Sequence, residues 1–153
     1  MIRDDAAEAL AQAEFFDICD DEQQRMLAFA GDLRSFAPGE VLYAAGDVPL
    51  GAHVLIDGTL TVQPDASGAA PYRITEPGSV VSAMALILAK PRALTVTAES
   101  DCETLFVPRQ AFMKLVQQSP VLAQRAAARI EHDLSHYLDA LEPVRRRMKP
   151  ADH

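Results

Sequence analysis

Cysteine and long hydrophobic runs are both scarce in this sequence of 153 residues. The two cysteines, Cys19 and Cys102, are too few for a disulfide framework, a four-ligand metal site or a four-cysteine iron–sulfur cluster. The longest apolar run, VVSAMALILA, is about half of what a membrane helix needs. With no signal peptide visible, we expect a protein of the reducing cytoplasm that does not enter the membrane.

Positive charge is also scarce. The sequence has 14 Lys and Arg residues and 22 Asp and Glu residues, so the net charge is −8. DNA binding depends on neutralising phosphates with Lys and Arg, so we expect no nucleic acid as a partner. The length predicts one domain over residues 1–153.

Residues for catalysis or metal binding are sparse as well. Only His53 lies in the β-like region described below, which argues against a metal-dependent jelly-roll enzyme with its cluster of histidines. His132 and His136 could chelate a divalent metal at their i, i+4 spacing, but two ligands alone make a weak site and we expect an exposed helix face. No Ser/His/Asp grouping, phosphate loop or catalytic carboxylate pair is present, so we expect no enzyme and no resident cofactor or metal.

Helix signals occupy the first part of the chain, about residues 4–31. The segment DDAAEALAQAE is rich in alanine and predicts a short helix. Asp20 and Gln23 have the spacing of a capping box for a second helix, which Gly31 is placed to end.

Short β-like runs separated by turn signals such as Pro38–Gly39 and Pro77–Gly78 fill about residues 33–107. Asp57–Gly58 lies between two β-branched segments and predicts a two-residue hairpin. Many short strands without long helices between them predict a mainly β fold with flanking helices. We expect a jelly-roll-like β-roll, or double-stranded β-helix, with N-terminal helices and a long C-terminal helix.

Helix signals return over about residues 108–148. RQAFMKLVQQ predicts one short helix, and Ser119–Pro120 supply the cap and first position of a longer one. From residue 123 to residue 148, apolar side chains of this helix recur every three or four residues, as in a coiled-coil seam. The seam either packs on its own domain or joins two copies, and we expect a homodimer because a β-sandwich has few places to bury so long a helix. The central seam residues are Ile130, Leu134, Tyr137 and Leu141.

The order of these elements resembles a known family. Gly39, Gly46, Gly58 and Gly78 fall where turns need glycine, in PGEVLYAAGD, HVLIDGTLTV and EPGSVVSAMALIL. With RALTVTAES, LFVPRQAF and the long helix that follow, about residues 14–142 resemble the cyclic-nucleotide-binding domain of the catabolite-activator and Fnr type. A helix-turn-helix domain follows the long helix in that family, and this sequence has none there, which implies a stand-alone domain that does not itself read DNA.

The family binds its ligand through a phosphate cassette, and the resemblance implies that Arg92 pairs with the anion. Ser82 stands at a family glycine, and Ala83 stands at the glutamate that accepts the ribose 2′-hydroxyl. Ala93 stands at the Ser or Thr that bonds the phosphate, and Leu94 replaces a small alanine. The implied ligand-binding set is Ser82, Ala83, Met84, Ala85, Leu86, Arg92, Ala93 and Leu94.

A guanidinium in the interior of a β-roll costs several kcal/mol unless it is paired, because arginine stays protonated. Arg92 can face a ligand anion, an internal carboxylate such as Glu76, Glu99 or Asp101, or solvent at the rim. The missing glutamate alone weakens binding of an ordinary cyclic nucleotide about ten- to hundredfold. The sequence predicts a regulatory sensor that binds a cyclic nucleotide or another small anion weakly, or a ligand-free module for dimerisation and protein binding.

Overall fold

The computed structural model describes residues 2–13, 15–65, 68–87 and 89–132. Its helices are α1 (Ile2–Gln12), a 3₁₀ helix (Phe15–Ile18), α2 (Asp21–Ala30), a second 3₁₀ helix (Ala83–Leu86), α3 (Arg109–Gln118) and α4 (120–132). The strands among the described residues are β1 (Asp32–Phe36), β2 (Val41–Tyr43), β3 (Gly51–Asp57), β4 (Leu60–Pro64), β5 (Tyr72–Ile74), β6 (Val80–Val81), β7 (Leu94–Ala98) and β8 (Cys102–Pro108).

The strands form two four-stranded antiparallel sheets, with orders β1-β8-β3-β6 and β2-β7-β4-β5. Most neighbouring strands are distant in sequence, and only β4 and β5 are both consecutive and adjacent. The chain therefore passes to the other sheet after every strand except β4 as it winds along the roll. This arrangement confirms the predicted jelly-roll with flanking helices.

The helix caps form as the sequence predicts. The Asp20 carboxylate accepts a 2.7 Å hydrogen bond from the Gln23 backbone N–H, and the Gln23 side chain accepts a 3.0 Å bond from the Asp20 N–H. At the start of α4, the Ser119 hydroxyl accepts from the Leu122 N–H at 3.1 Å, with Pro120 in the first helical position. These caps satisfy backbone donors that a helix start leaves unpaired.

Two hydrophobic cores result from the alternation of side chains along the strands. The helix-side core joins one face of the first sheet to the helices, with Phe16, Val54, Leu105 and Phe112 among its fully buried side chains. The roll core lies between the sheets and contains Tyr43, Leu55, Leu60, Val62, Val81, Val96, Ala98 and Cys102.

The predicted Asp57–Gly58 hairpin is wrong, because β3 and β4 belong to different sheets. Gly58 has a φ of +104°, and a Cβ atom there would lie 2.5 Å from the Asp101 carbonyl oxygen. Glycine is therefore needed where the chain crosses between the sheets against the turn before β8. Among the described residues, a hairpin instead joins β4 to β5.

Helix α4 buries one face against its own domain. Leu122 and Ala126 are 1% and 3% exposed, and Arg129 forms an ion pair with Asp17 of the first 3₁₀ helix. Ile130 is half-buried and lies about 80° around the helix from Leu122. The seam residues Leu134, Tyr137 and Leu141 lie outside the described residues.

Candidate ligand site in the cassette segment

The segment from residue 82 to residue 94, called the cassette segment below, connects β6 to β7. Ser82 enters it in the left-handed conformation, with φ 62° and ψ 51°, and is the only described non-glycine residue with a positive φ. This conformation costs a serine about 1–2 kcal/mol, which the surrounding structure must offset. Ser82 thus occupies a backbone position suited to glycine and adds a hydroxyl group there.

The predicted ligand-binding residues of this segment point to different surroundings. Ala85 and Leu86 are 1% and 0% exposed, and Leu86 belongs to the helix-side core. Ala93 is exposed, whereas Leu94 is half-buried and packs against the roll core. Ala83 and Met84 are half-buried, and Ala83 packs against the helix-side core.

The turn that follows β2 fixes the backbone of Arg92. The Arg92 N–H donates to the Asp47 carbonyl at 3.2 Å, and the Gly46 N–H donates to the Arg92 carbonyl at 2.9 Å. The Asp47 carboxylate closes the turn by accepting from the Ala44 N–H at 3.1 Å. Arg92 is half-buried, and its Nε is buried without a hydrogen-bond partner.

Tyr43 is a further candidate that the sequence reasoning missed. It is 8% exposed and its hydroxyl has no hydrogen-bond partner. Burial raises the pKa of Tyr43 to about 12, while the nearby charge of Arg92 acts in the opposite direction. The run VLY could identify Tyr43 as a strand residue, but only the fold places its ring near Arg92.

Three buried side-chain atoms in the described part of the chain lack a hydrogen-bond partner, and they are Tyr43 Oη, Ser82 Oγ and Arg92 Nε. Each unpaired group of this kind costs about 1–3 kcal/mol or more, and such groups are uncommon in folded proteins. Two of the three lie in the cassette segment, and Arg92 acts electrostatically on the third. Each of them is a hydrogen-bond donor that lacks an acceptor in the described structure.

The carboxylates considered from sequence do not pair with Arg92. Glu99 accepts a 2.9 Å bond from Arg73 and a 2.8 Å bond from Thr61, and these bonds hold its pKa below its ordinary value. Glu76 lines a cavity of about 560 Å³ together with Arg129. Within the described residues, no ion pair joins Arg92 to Asp101 or to any other carboxylate.

Arg109, the first residue of α3, is bonded to the cassette segment. Its guanidinium donates to the Pro49 carbonyl at 2.8 Å and to the Ala85 carbonyl at 3.0 Å. Its backbone N–H donates to the Leu50 carbonyl at 2.8 Å. One residue therefore links the loop before β3, the second 3₁₀ helix and the start of α3.

The other candidate chemistries have little structural support. Cys19 and Cys102 are free and buried, and burial raises the pKa of Cys19 to about 12, which disfavours a reactive thiolate. Within the described residues, no group of three or more His, Cys, Asp or Glu side chains could hold a metal. His132 is exposed, and His136 lies outside the described residues. None of the described helices has the length and apolarity needed to cross a bilayer.

Comparison with known proteins adds a family and a fold. The sequence model of the cyclic nucleotide-binding domain matches residues 33–119, whereas no curated protein sequence matches the chain. The catabolite activator protein of Thermus thermophilus is 19% identical over 85% of this chain and 62% of its own, with a TM-score of 0.70. The N-terminal domain of a transcriptional regulator from Streptomyces coelicolor is 20% identical over 87% of this chain and 94% of its own, with a TM-score of 0.72.

A further structure shares the same fold. The regulatory domain of Toxoplasma gondii PKA, crystallised with cAMP, is 20% identical over 85% of this chain and 50% of its own, with a TM-score of 0.66. The chain spans 62–65% of the Thermus thermophilus protein and of two other bacterial structures that it matches. These likenesses establish the fold, and they do not assign a ligand to the cassette segment.

Proposed function

The chain belongs to the cyclic nucleotide-binding domain family, and we propose that it acts as a regulatory sensor that binds a cyclic nucleotide or another small anion without catalysis. The observation that carries this proposal is Arg92, whose Nε is buried without a partner and whose charge is not balanced by a carboxylate among the described residues. An anion bound to Arg92 would supply the missing acceptor through charge-assisted hydrogen bonds.

The same segment predicts that an ordinary cyclic nucleotide binds weakly. Ala83 provides no carboxylate for a ribose hydroxyl, and Ala93 provides no hydroxyl for a phosphate. The lost hydrogen bonds amount to roughly 2–4 kcal/mol, which moves a micromolar site into the sub-millimolar or millimolar range.

A thermal-shift screen with cyclic AMP, cyclic GMP, cyclic dinucleotides and simple organic anions tests the proposal. A ligand present at about 100 times its Kd adds about 2.7 kcal/mol to the stability of the folded state. This stabilisation raises the Tm of a domain of this size by roughly 5–11 °C. We expect such a rise with at least one of these compounds, and its loss in Arg92→Ala.

Arg73→Ala is the matched control, because Arg73 is 68% exposed and pairs with Glu99 on the outer face of the second sheet. The rise should persist in this variant, since it also removes one arginine but leaves the cassette segment intact. A rise that persisted in Arg92→Ala would contradict the role of Arg92. If no compound raised the Tm, the ligand-free interaction module would be the better description.

We also propose that two copies associate through the seam on α4 and the residues that follow it. The described members of the seam are Ala123, Ala127 and Ile130. They lie outside the buried face that Leu122 and Ala126 form, so part of their surface is accessible. Light scattering at high micromolar concentration should give twice the monomer mass for the wild type and for Val121→Glu, which is on the opposite side of α4. Ile130→Glu should give the monomer mass, and a monomeric wild type would contradict the seam.

A further inference from the structure

The cavity that Glu76 and Arg129 line is built from segments that are distant in sequence. Its volume of about 560 Å³ lies within the range of pockets that hold small molecules. Its walls come from the end of α1, the first 3₁₀ helix, the turn between β5 and β6, the start of the cassette segment and α4. Arg92 is not among its described lining residues, so this cavity differs from the anion site proposed above.

The turn between β5 and β6 forms a fixed wall of the cavity. The Ser79 N–H donates to the Glu76 carbonyl at 3.1 Å and closes the turn. The Gly78 N–H donates to the Leu55 carbonyl of β3 at 2.7 Å. Gly78 has a φ of +92°, and a Cβ atom there would lie 2.9 Å from the Gln12 carbonyl oxygen. The turn is therefore packed directly against the end of α1, and glycine is needed for this close approach.

The wall from α4 is held by contacts to the first 3₁₀ helix. Arg129 donates through Nη2 to the Asp17 carboxylate. Arg125, one turn earlier, donates to the Ile18 carbonyl at 3.4 Å. The side chain of Arg129 is 24% exposed, so water competes little for its donors. Because a guanidinium has five N–H donors, Arg129 can bind a second carboxylate while it keeps Asp17.

The lining carries one charge of each sign beside an apolar wall. Arg129 and Glu76 are the only charged residues among its described lining. Phe15 is 6% exposed, and Val80 and Ala83 are half-buried, and all three line the same cavity. A simple anion would be repelled by Glu76, and a simple cation would be repelled by Arg129. The lining is therefore complementary to a molecule with a carboxylate, an ammonium group and an apolar part.

We propose that this cavity binds a small zwitterion with an apolar part, such as an α-amino acid with an apolar side chain. The ligand carboxylate binds Arg129, the ammonium group binds Glu76, and the apolar part lies against the wall that contains Phe15. The Gln12 amide, also in the lining, can donate to the carboxylate or accept from the ammonium group. Because Glu76 belongs to the β-roll and Arg129 to α4, the ligand connects the roll to this helix. This site does not use Arg92, so it goes beyond the proposed function.

Calorimetric titration with L-leucine, L-phenylalanine, 4-methylpentanoate and 3-methylbutylamine tests this assignment. 4-Methylpentanoate lacks the ammonium group of leucine, and 3-methylbutylamine lacks its carboxylate. We expect both amino acids to bind. Each leucine analogue should bind at least about tenfold more weakly than leucine, because it loses one charge-assisted hydrogen bond.

Three substitutions assign the two charges. Glu76→Gln should weaken leucine binding about tenfold, and Arg129→Gln should weaken it by at least about the same factor. Asp17→Asn is the matched control for Arg129, because it breaks the same ion pair but keeps the guanidinium. Its leucine affinity should stay within about twofold of the wild type, since a solvent-exposed ion pair contributes little to stability.

The remaining outcomes would each overturn the assignment. If Asp17→Asn weakened binding as much as Arg129→Gln, Arg129 would act only by attaching α4. If 4-methylpentanoate bound as tightly as leucine, the ligand would be a simple anion. Loss of leucine binding in Arg92→Ala, with no effect of Glu76→Gln, would place the amino acid in the cassette segment. Absence of binding by both amino acids would remove the zwitterion site and leave the anion sensor, which rests on Arg92, as it was.

Discussion

Phe112→Ala is expected to lower the free energy of unfolding by about 3–5 kcal/mol, the usual cost of removing a fully buried phenylalanine. Phe112 of α3 is 0% exposed, and its ring centroid lies 5.9 Å from that of Phe15 and 6.3 Å from that of Phe16. The substitution leaves a cavity where α3 meets the first 3₁₀ helix, so both the helix-side core and the attachment of the N-terminal helices are weakened. Urea unfolding followed by circular dichroism measures the loss.

Leu50→Ala is the control for this measurement, because Leu50 is 70% exposed and its substitution should change stability by less than about 0.5 kcal/mol. A loss below 1 kcal/mol in Phe112→Ala would mean that α3 does not pack on the phenylalanine pair as described.

Acid is expected to remove about 3 kcal/mol of stability through His53. The ring of His53 is 4% exposed between Phe36 and Phe106, with Nδ1 2.9 Å from the Thr104 hydroxyl oxygen. Burial, and then the charge of Arg34, lower the pKa of His53 from 6.5 to about 4. The folded protein therefore keeps this ring neutral at pH values at which the unfolded chain protonates it.

The sign and the pH window of the effect follow from these two pKa values. Above pH 6.5 the ring is neutral in both states and His53 contributes no pH dependence. Between pH 6.5 and pH 4 the unfolded state binds the proton, so stability falls by up to about 1.4 kcal/mol per pH unit as the pH is lowered. Below pH 4 both states are protonated and the loss from this group is complete.

The comparison with His53→Leu isolates this contribution, because all other titrating groups are common to both proteins. Urea unfolding at pH 7 and at pH 4 should show the wild type losing about 3 kcal/mol more than the variant. Equal losses would mean that His53 is accessible to protons in the folded state. The leucine variant should also be less stable at pH 7, since it leaves the buried Thr104 hydroxyl without its partner.

Sequence reasoning succeeded where the signal was local. The helix RQAFMKLVQQ has its predicted bounds, and the Asp20 and Ser119 caps form as expected. The Asp57–Gly58 signal was misleading, because a hairpin and a crossing between sheets both place a glycine with positive φ after a strand. Only the position of the Asp101–Cys102 turn, far along the chain, distinguishes the two.

The residues of the candidate site also differ in whether a local signal in the sequence could identify them. Resemblance to the family identified Arg92 and Ser82, since both lie in one continuous motif. Tyr43 could not be found in this way, because the pairing of β2 with β7 in the second sheet, rather than sequence spacing, brings it close to Arg92. Alternation along a short strand predicts which face a residue occupies, but it does not predict which residue lies opposite.

The guanidinium of Arg109 has a thermodynamic consequence. Its bonds to the Pro49 and Ala85 carbonyls tie the second 3₁₀ helix to the first residue of α3. A ligand that displaced Ala85 would either move the start of α3 with it or break these bonds. Ligand binding at the cassette segment and the position of α3 would therefore be thermodynamically coupled. If the ligand changes the affinity of α3 for a partner protein by some factor, binding of that partner to α3 must change the ligand affinity by the same factor.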